Sequence, residues 1–166
     1  MAEEKVLFIV RHGKSGWDYN GIEDIDRPLI ERGIRDAHTM AEKLVKRGLL
    51  PDCIISSPAI RAAHTAIIFS RITGFPEKDI KLEEDLYLAE TKEILKIVTK
   101  IDNSLTKAMI FGHNPGFTDL VNYLSGLRLD NLPTAGLVML KFKTDSWKEV
   151  SKKNLISEFF DSPHSI

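Results

Sequence analysis

The sequence predicts an α/β fold, a three-layer sandwich in which a mostly parallel central sheet is flanked by helices. Two observations lead there. Short apolar runs of strand length alternate with segments of helical period. Strands separated by helices need crossover connections, which cover a largely parallel sheet on both faces. The length agrees: 166 residues, 43% of them apolar, suit one domain over residues 1–166 with its own core. No internal repeat, low-complexity tract or linker interrupts the alternation.

Residues 5–10 (KVLFIV) are rich in β-branched side chains and predict a buried strand. Ile34, Ala37, Ala41, Leu44, Val45 and Gly48 recur at spacings of three and four, which marks one face of a helix. Pro51 stops it. Residues 53–56 predict a second strand, and Ser57-Pro58 then reads as an N-cap with proline in the first turn. Ile60, Ala63, Ile67 and Ile68 continue that helix until Gly74 and Pro76 close it. Thr91 is the predicted cap of a helix whose face is Ile94, Ile97, Val98 and Ile101. Residues 107–111 predict a third strand, Asn114-Pro115 repeats the cap-plus-proline start, and Phe117, Leu120, Val121 and Leu124 supply the stripe. Val138, Leu140 and Phe142 alternate with Met139 and Lys141, as in a strand with two different faces. One more strand is predicted near residues 148–151. Residues 13–30 and 128–135 remain irregular. The first stretch follows a strand directly, and ligands of open α/β sheets bind at carboxyl strand ends. The second is placed to close over the same edge.

Composition removes several classes of function. Lys and Arg number 23 against 24 Asp and Glu, a net charge of -1. A dedicated nucleic-acid binder shows a basic excess, and a membrane-surface protein a polybasic patch. The longest apolar run near the N-terminus is residues 6–10, far short of the ~20 residues of a membrane span. The opening MAEEK is polar and has no secretory character. The one cysteine, Cys53, lies in an apolar run and reads as a small buried thiol. A reducing cytoplasm is therefore expected. There is no His-x-x-x-His pair, no cysteine pair and no P-loop, so no metal or cofactor is expected. His38, His64 and His164 read as helix-surface and tail residues.

Three strand exits carry unusual polar groups: Arg11-His12-Gly13, then Ser56 through Arg61, then Gly112-His113-Asn114-Pro115-Gly116. In a parallel sheet these exits can converge on one pocket holding two guanidiniums, two imidazoles and two helix starts. Arginine grips phosphate oxygens through a planar fork, and helix N-termini offer unpaired amides to an anion. A neutral imidazole is a nucleophile, and nearby cations disfavour its protonated form. His12 is thus the candidate phosphoryl acceptor, Arg11 and Arg61 the phosphate clamp, and His113 a donor to a phosphoryl oxygen. Each of these residues alone has a bland reading as a turn or surface group. Their joint placement at successive strand exits favours the functional one.

These motifs resemble the histidine phosphatase superfamily, also called phosphoglycerate mutase-like, and within it the short branch of SixA phosphohistidine phosphatases. The resemblance rests on residues 7–17 (LFIVRHGKSGW), 26–33 (DRPLIERG), 54–65 (IISSPAIRAAHT) and 111–116 (FGHNPG), in family order. It implies a phosphoglycerate mutase-like fold and a metal-independent phosphatase that forms a phosphohistidine on His12. Arg11, Arg61 and His113 would hold the phosphoryl group, with Ser15 and Asn114 lining the pocket. Asp26-Arg27-Pro28 would brace the loop after the first strand, and Arg27 is near enough to touch substrate. The expected substrate is a phosphorylated protein carrying phosphohistidine or a small phosphorylated metabolite. No nucleic-acid or membrane partner is expected, and a monomer suffices. The alternatives are a phosphosugar-acid mutase and a catalytically idle phospho-ligand module. Two departures stand out. Ile30 occupies a position where relatives carry a capping Ser or Thr, so Asp26 or the backbone must cap the first helix. The family's glutamate proton donor has no clear match, leaving Glu84, Asp85 and Glu90 as candidates.

Overall fold

The structure is a computed structural model and describes residues 3–17 and 20–164. Residues 18 and 19, within the irregular stretch at 13–30, lie outside the described residues, as do the first two and the last two of the expected 1–166 domain. Six strands form one sheet: β1 (Glu4–Arg11), β2 (Cys53–Ser56), β3 (Lys81–Leu82), β4 (Lys107–Gly112), β5 (Leu137–Lys143) and β6 (Leu155–Asp161). Their spatial order is β3-β2-β4-β1-β5-β6. The first four strands in that order pair in parallel and the last two antiparallel. The sheet is therefore mostly parallel, with an antiparallel flank, as the predicted class required. Four helices cover it: α1 (Glu31–Lys46), α2 (Ile60–Thr73), α3 (Thr91–Val98) and α4 (Gly116–Leu124).

The two-residue period of β1 explains the three layers. Leu7 and Ile9 point into one core with residues of α3 and α4, such as Ile94 and Leu120. Val6, Phe8 and Val10 point into the other, with residues of α1 and α2, such as Met40 and Phe69. A strand buried on both faces reads as a continuous apolar run, which is how residues 6–10 read in the sequence.

Parallel register sets the site. Arg11 pairs with Gly112 across β1 and β4, and Ser56 pairs with Phe111 across β2 and β4. The three exits therefore leave the sheet side by side at one edge.

Several local expectations need correction. Ser57-Pro58 does not cap α2. Ala59 takes the N-cap position and the helix begins at Ile60, because the Ser57 hydroxyl is engaged elsewhere: it accepts from the Ala59 amide and meets His113 Nε2. Glu90 rather than Thr91 caps α3, in a capping box in which the Glu90 amide donates to Glu93 Oε1. Pro115 is the N-cap residue of α4, while Asn114 Oδ1 accepts from the Thr118 amide and hydroxyl. At α1 no side chain takes the place of the missing Ser or Thr. Ile30 makes no side-chain cap, and its amide donates to the Lys14 carbonyl. The strand expected near residues 148–151 is absent. Two 3-10 turns, Trp147–Glu149 and Lys152–Asn154, occupy that stretch, and the strand follows as β6. The reason is Trp147, whose fully buried indole donates to the Leu105 carbonyl and pins the chain into the core.

Candidate active site

His12 sits one residue beyond β1 and is held from three sides. Its amide donates to the Gly112 carbonyl at 3.1 Å, and its carbonyl accepts from the Ala135 amide at 2.9 Å. Its ring Nδ1 lies 2.6 Å from the Gly13 carbonyl oxygen. A carbonyl only accepts, so Nδ1 carries the proton and Nε2 keeps its lone pair in the neutral ring. The Gly13 amide in turn donates to Thr65 Oγ1 at 3.0 Å, which fixes the carbonyl that orients the ring. Gly13 has to be glycine, since a Cβ there would stand 2.7 Å from the Gly33 carbonyl oxygen at the start of α1.

His113, one residue beyond β4, lies beside it, with ring centroids 5.2 Å apart. Its Nε2 is 2.7 Å from Ser57 Oγ. The Ser57 oxygen already accepts from Ala59, and with its own proton pointed at Nε2 the ring's proton sits on His113 Nδ1. That nitrogen is buried and has no protein partner. Arg11 Nε and Arg61 Nε are buried without acceptors as well. All three nitrogens belong to residues that line one pocket.

Burial decides protonation. It pushes the His12 pKa down to about 4, with Arg61, Arg11 and Arg27 adding to the effect against the Gly13 hydrogen bond. Burial also takes His113 down to about 3, helped by His12 and Arg61. Both rings are neutral at physiological pH. Burial and Arg61 lower the Arg11 pKa as well, but a guanidinium starts so far above neutrality that it stays a cation.

Arg11 Nη1 donates to the Leu132 carbonyl at 3.0 Å. Arg61, at the second position of α2, is only 3% exposed. Its Nη1 donates to the Asp24 carbonyl at 2.6 Å and its Nη2 to Asp24 Oδ2 at 3.0 Å. Ser15 and Asn114 both line the pocket. Ser15 Oγ accepts from Arg27. The Asn114 amide is spent on the segment at 128–135, donating to Asn131 Oδ1 and the Leu132 carbonyl. That segment thus reaches the sheet edge, and Thr134 joins the pocket wall. The whole pocket measures about 410 Å³.

Sequence reasoning missed three contributors, Asp24, Tyr87 and Trp17. Asp24 ties Arg61, Arg27 and Tyr87 together: Arg27 Nε donates to Oδ1 at 3.0 Å and the Tyr87 hydroxyl donates to Oδ2. Burial alone would raise the Asp24 pKa, but the hydrogen bonds from Tyr87, Arg61 and Arg27 outweigh it and hold the carboxyl well below the usual range. Arg27 braces the loop after β1 as expected, through Ser15 Oγ and the Gly16 carbonyl, and it lines the pocket too. Tyr87 sets its ring edge-on to His113 at 5.5 Å. Trp17 stands at the rim. The spacing of Asp24 three residues before Arg27 was the one available signal; Tyr87 had none. Glu84, Asp85 and Glu90 line no part of this pocket. All three are exposed, and Glu90 caps α3. Among the described residues no group of three or more His, Cys, Asp or Glu side chains is placed to hold a metal ion. No helix among them is long and apolar enough to cross a membrane.

Comparison with known proteins identifies the family and the fold. Residues 7–94 match the model of the histidine phosphatase superfamily (branch 1). An uncharacterised chloroplastic protein of Arabidopsis thaliana is 32% identical over 151 residues, 86% of this chain and 69% of its own. A 2,3-bisphosphoglycerate-dependent phosphoglycerate mutase of Clavibacter michiganensis is 36% identical over 76 residues, 45% of this chain and 30% of its own. Among solved structures, a protein of Agrobacterium tumefaciens assigned as phosphohistidine phosphatase SixA superposes with a TM-score of 0.74 at 26% identity. It covers 93% of this chain and 97% of its own.

Proposed function

The chain belongs to the histidine phosphatase superfamily, and from that premise we propose that it is a metal-independent phosphatase working through a phosphohistidine on His12. The observation that carries this reading is the fixed tautomer of His12: a neutral ring whose Nδ1 proton is bound to Gly13, leaving Nε2 as the nucleophile. Its lone pair forms an N–P bond as the bond from phosphorus to the leaving group breaks, and the leaving group takes that electron pair. Arg11, Arg61 and His113 Nδ1 bind the phosphoryl oxygens and stabilise their charge in the transition state, the main demand of phosphoryl transfer. Water then attacks phosphorus, the N–P bond breaks, and the pair returns to Nε2 as phosphate leaves. Asn114, with its amide engaged, positions the 128–135 segment rather than gripping phosphate.

The leaving group decides the substrate. An alcohol needs a proton as it departs. The pocket carboxylate, Asp24, is held ionised by three donors and is a poor acid. A phosphohistidine protonated on its other ring nitrogen leaves as neutral imidazole and needs no donor. The reading therefore favours phosphohistidine on a protein, in a reducing cytoplasm, over small alkyl phosphates. The mutase similarity spans less than half of each mutase chain, and an idle binding module has no use for an oriented nucleophile.

The test is covalent trapping. Rapid quench after mixing with a labelled phosphoramidate is expected to leave acid-labile, base-stable phosphate on the protein, lost in His12→Ala and unaffected by chelators. Label persisting in His12→Ala overturns the mechanism.

A further inference from the structure

The pocket has a floor and a rim of different chemistry. His12, Arg61, His113 and Arg27 on the floor are 3–7% exposed. The two large apolar side chains in the wall, Trp17 and Leu88, are 74% and 56% exposed. Each is held where it is by the site itself. The Arg27 guanidinium lies 3.5 Å from the centre of the Trp17 ring, stacked on it. The other side of that guanidinium's bonding is fixed by Asp24, Ser15 and Gly16, so the indole is mounted on the floor's own bracing. Leu88 follows Tyr87, whose hydroxyl is bound to Asp24 and whose ring meets His113. Its φ is +52°, left-handed backbone that a leucine rarely adopts. Glycine would be the unstrained choice there, and leucine instead puts an apolar side chain at the pocket mouth.

We propose that Trp17 and Leu88 form the leaving-group subsite and select phosphoryl donors whose phosphorus is carried on a flat unsaturated ring. This rests on the phosphatase reading above. A phosphoryl group seated on the buried donors directs its remaining substituent outward, toward the rim. There an indole with one face on Arg27 and the rest exposed offers a stacking surface, and Leu88 offers an aliphatic one. A leaving group without a ring has no flat face to lay on the indole and no apolar surface to set against Leu88.

The test compares two donors with the same P–N bond, N-phosphoimidazole and phosphoramidate, on the wild type, Trp17→Ala and Leu88→Gly. Trp17 is exposed, and glycine relieves the backbone at position 88, so both variants are expected to fold. The ratio of kcat/KM for the ring donor over the ringless one is expected to fall about tenfold in each variant, the discrimination one apolar contact supplies. Vanadate inhibition, which reads the floor alone, should stay within about twofold of wild type, because neither side chain donates to the anion. An unchanged ratio in both variants, with vanadate still inhibiting, overturns the subsite and leaves the phosphatase standing. A wild type that cleaves neither donor and ignores vanadate fells both readings together.

Discussion

Titrating the His12 ring tests the site most directly. A histidine of ordinary pKa, near 6.5, would be only about one-quarter neutral at pH 6, whereas one held at about 4 is about 99% neutral. The burial that achieves this has a cost in stability whose sign is fixed. The unfolded chain binds a proton at His12 and at His113 below about pH 6.5, while the folded chain binds neither until pH approaches 4 and 3. The unfolded state thus binds more protons across that window, and stability falls as pH falls through it. Two such rings give a slope of up to about 2.7 kcal/mol per pH unit between roughly pH 6 and 4. Above about pH 7.5, a unit beyond the unfolded pKa, the effect vanishes. Ring resonances followed by NMR, with His12→Asn and His113→Asn for assignment, read the protonation directly. This avoids the second ionisation of a phosphate substrate, which falls near pH 6 and distorts rate profiles. Urea midpoints at pH 7, 5.5 and 4.5 read the linkage. A His12 ring titrating near 6.5, or a midpoint flat from pH 7 to 4.5, refutes both the burial argument and the supply of neutral nucleophile.

Two substitutions probe the bracing. Thr65→Val keeps the shape of a fully buried side chain but strands the Gly13 amide, so urea denaturation should show a loss of about 1–3 kcal/mol. Turnover should fall with it, since Gly13 orients the His12 ring, and wild-type values for both would refute the positioning role. Asp24→Asn removes a negative charge from the anion pocket and frees Arg61, so vanadate inhibition should tighten about tenfold, the scale of one partly screened charge repulsion. Weaker inhibition instead would mean that Asp24 serves the anion chiefly by aiming Arg61.

Most of the fold was legible because the sheet interior is apolar on both faces. Residues 6–10, 53–56 and 107–111 could be nothing but buried strands, and their polar exits stood out against them. Arg11, His12, Arg61 and His113 were readable for that reason. The misreadings share a different cause. Ser57 looks like a helix cap in sequence, but its hydroxyl is claimed by His113, which lies 56 residues away. Residues 148–151 carry no sign that Trp147 will be drawn into the core by a carbonyl at Leu105. The edge strand β3 has two exposed residues and no apolar pattern to announce it. Asp24 and Tyr87 reach the site from single 3-10 turns, Asp24–Asp26 and Glu84–Leu86 with Tyr87 as its C-cap, too short for any period to place a side chain. Local pattern reports which way a chain faces. It does not report which distant partner will claim a hydroxyl or a carboxylate.

One physical cause accounts for both halves of the proposed chemistry. Drawing titratable groups out of water at the sheet edge disfavours every charged form, but the groups answer differently because they start from different pKa values. The Arg11 pKa is lowered by burial and by Arg61, yet a guanidinium begins so far above neutrality that it remains a cation. His12 and His113 begin near neutrality and lose their protons. The same desolvation therefore sorts one cluster into an anion receptor and a nucleophile with no further device. Asp24 completes the balance, since its carboxylate answers Arg61 and Arg27 at once and keeps two neighbouring cations from repelling each other out of place. In the proposed mechanism a dianionic phosphoryl group entering such a pocket would meet fixed positive charge and a lone pair already bare, so little would have to reorganise before an N–P bond formed.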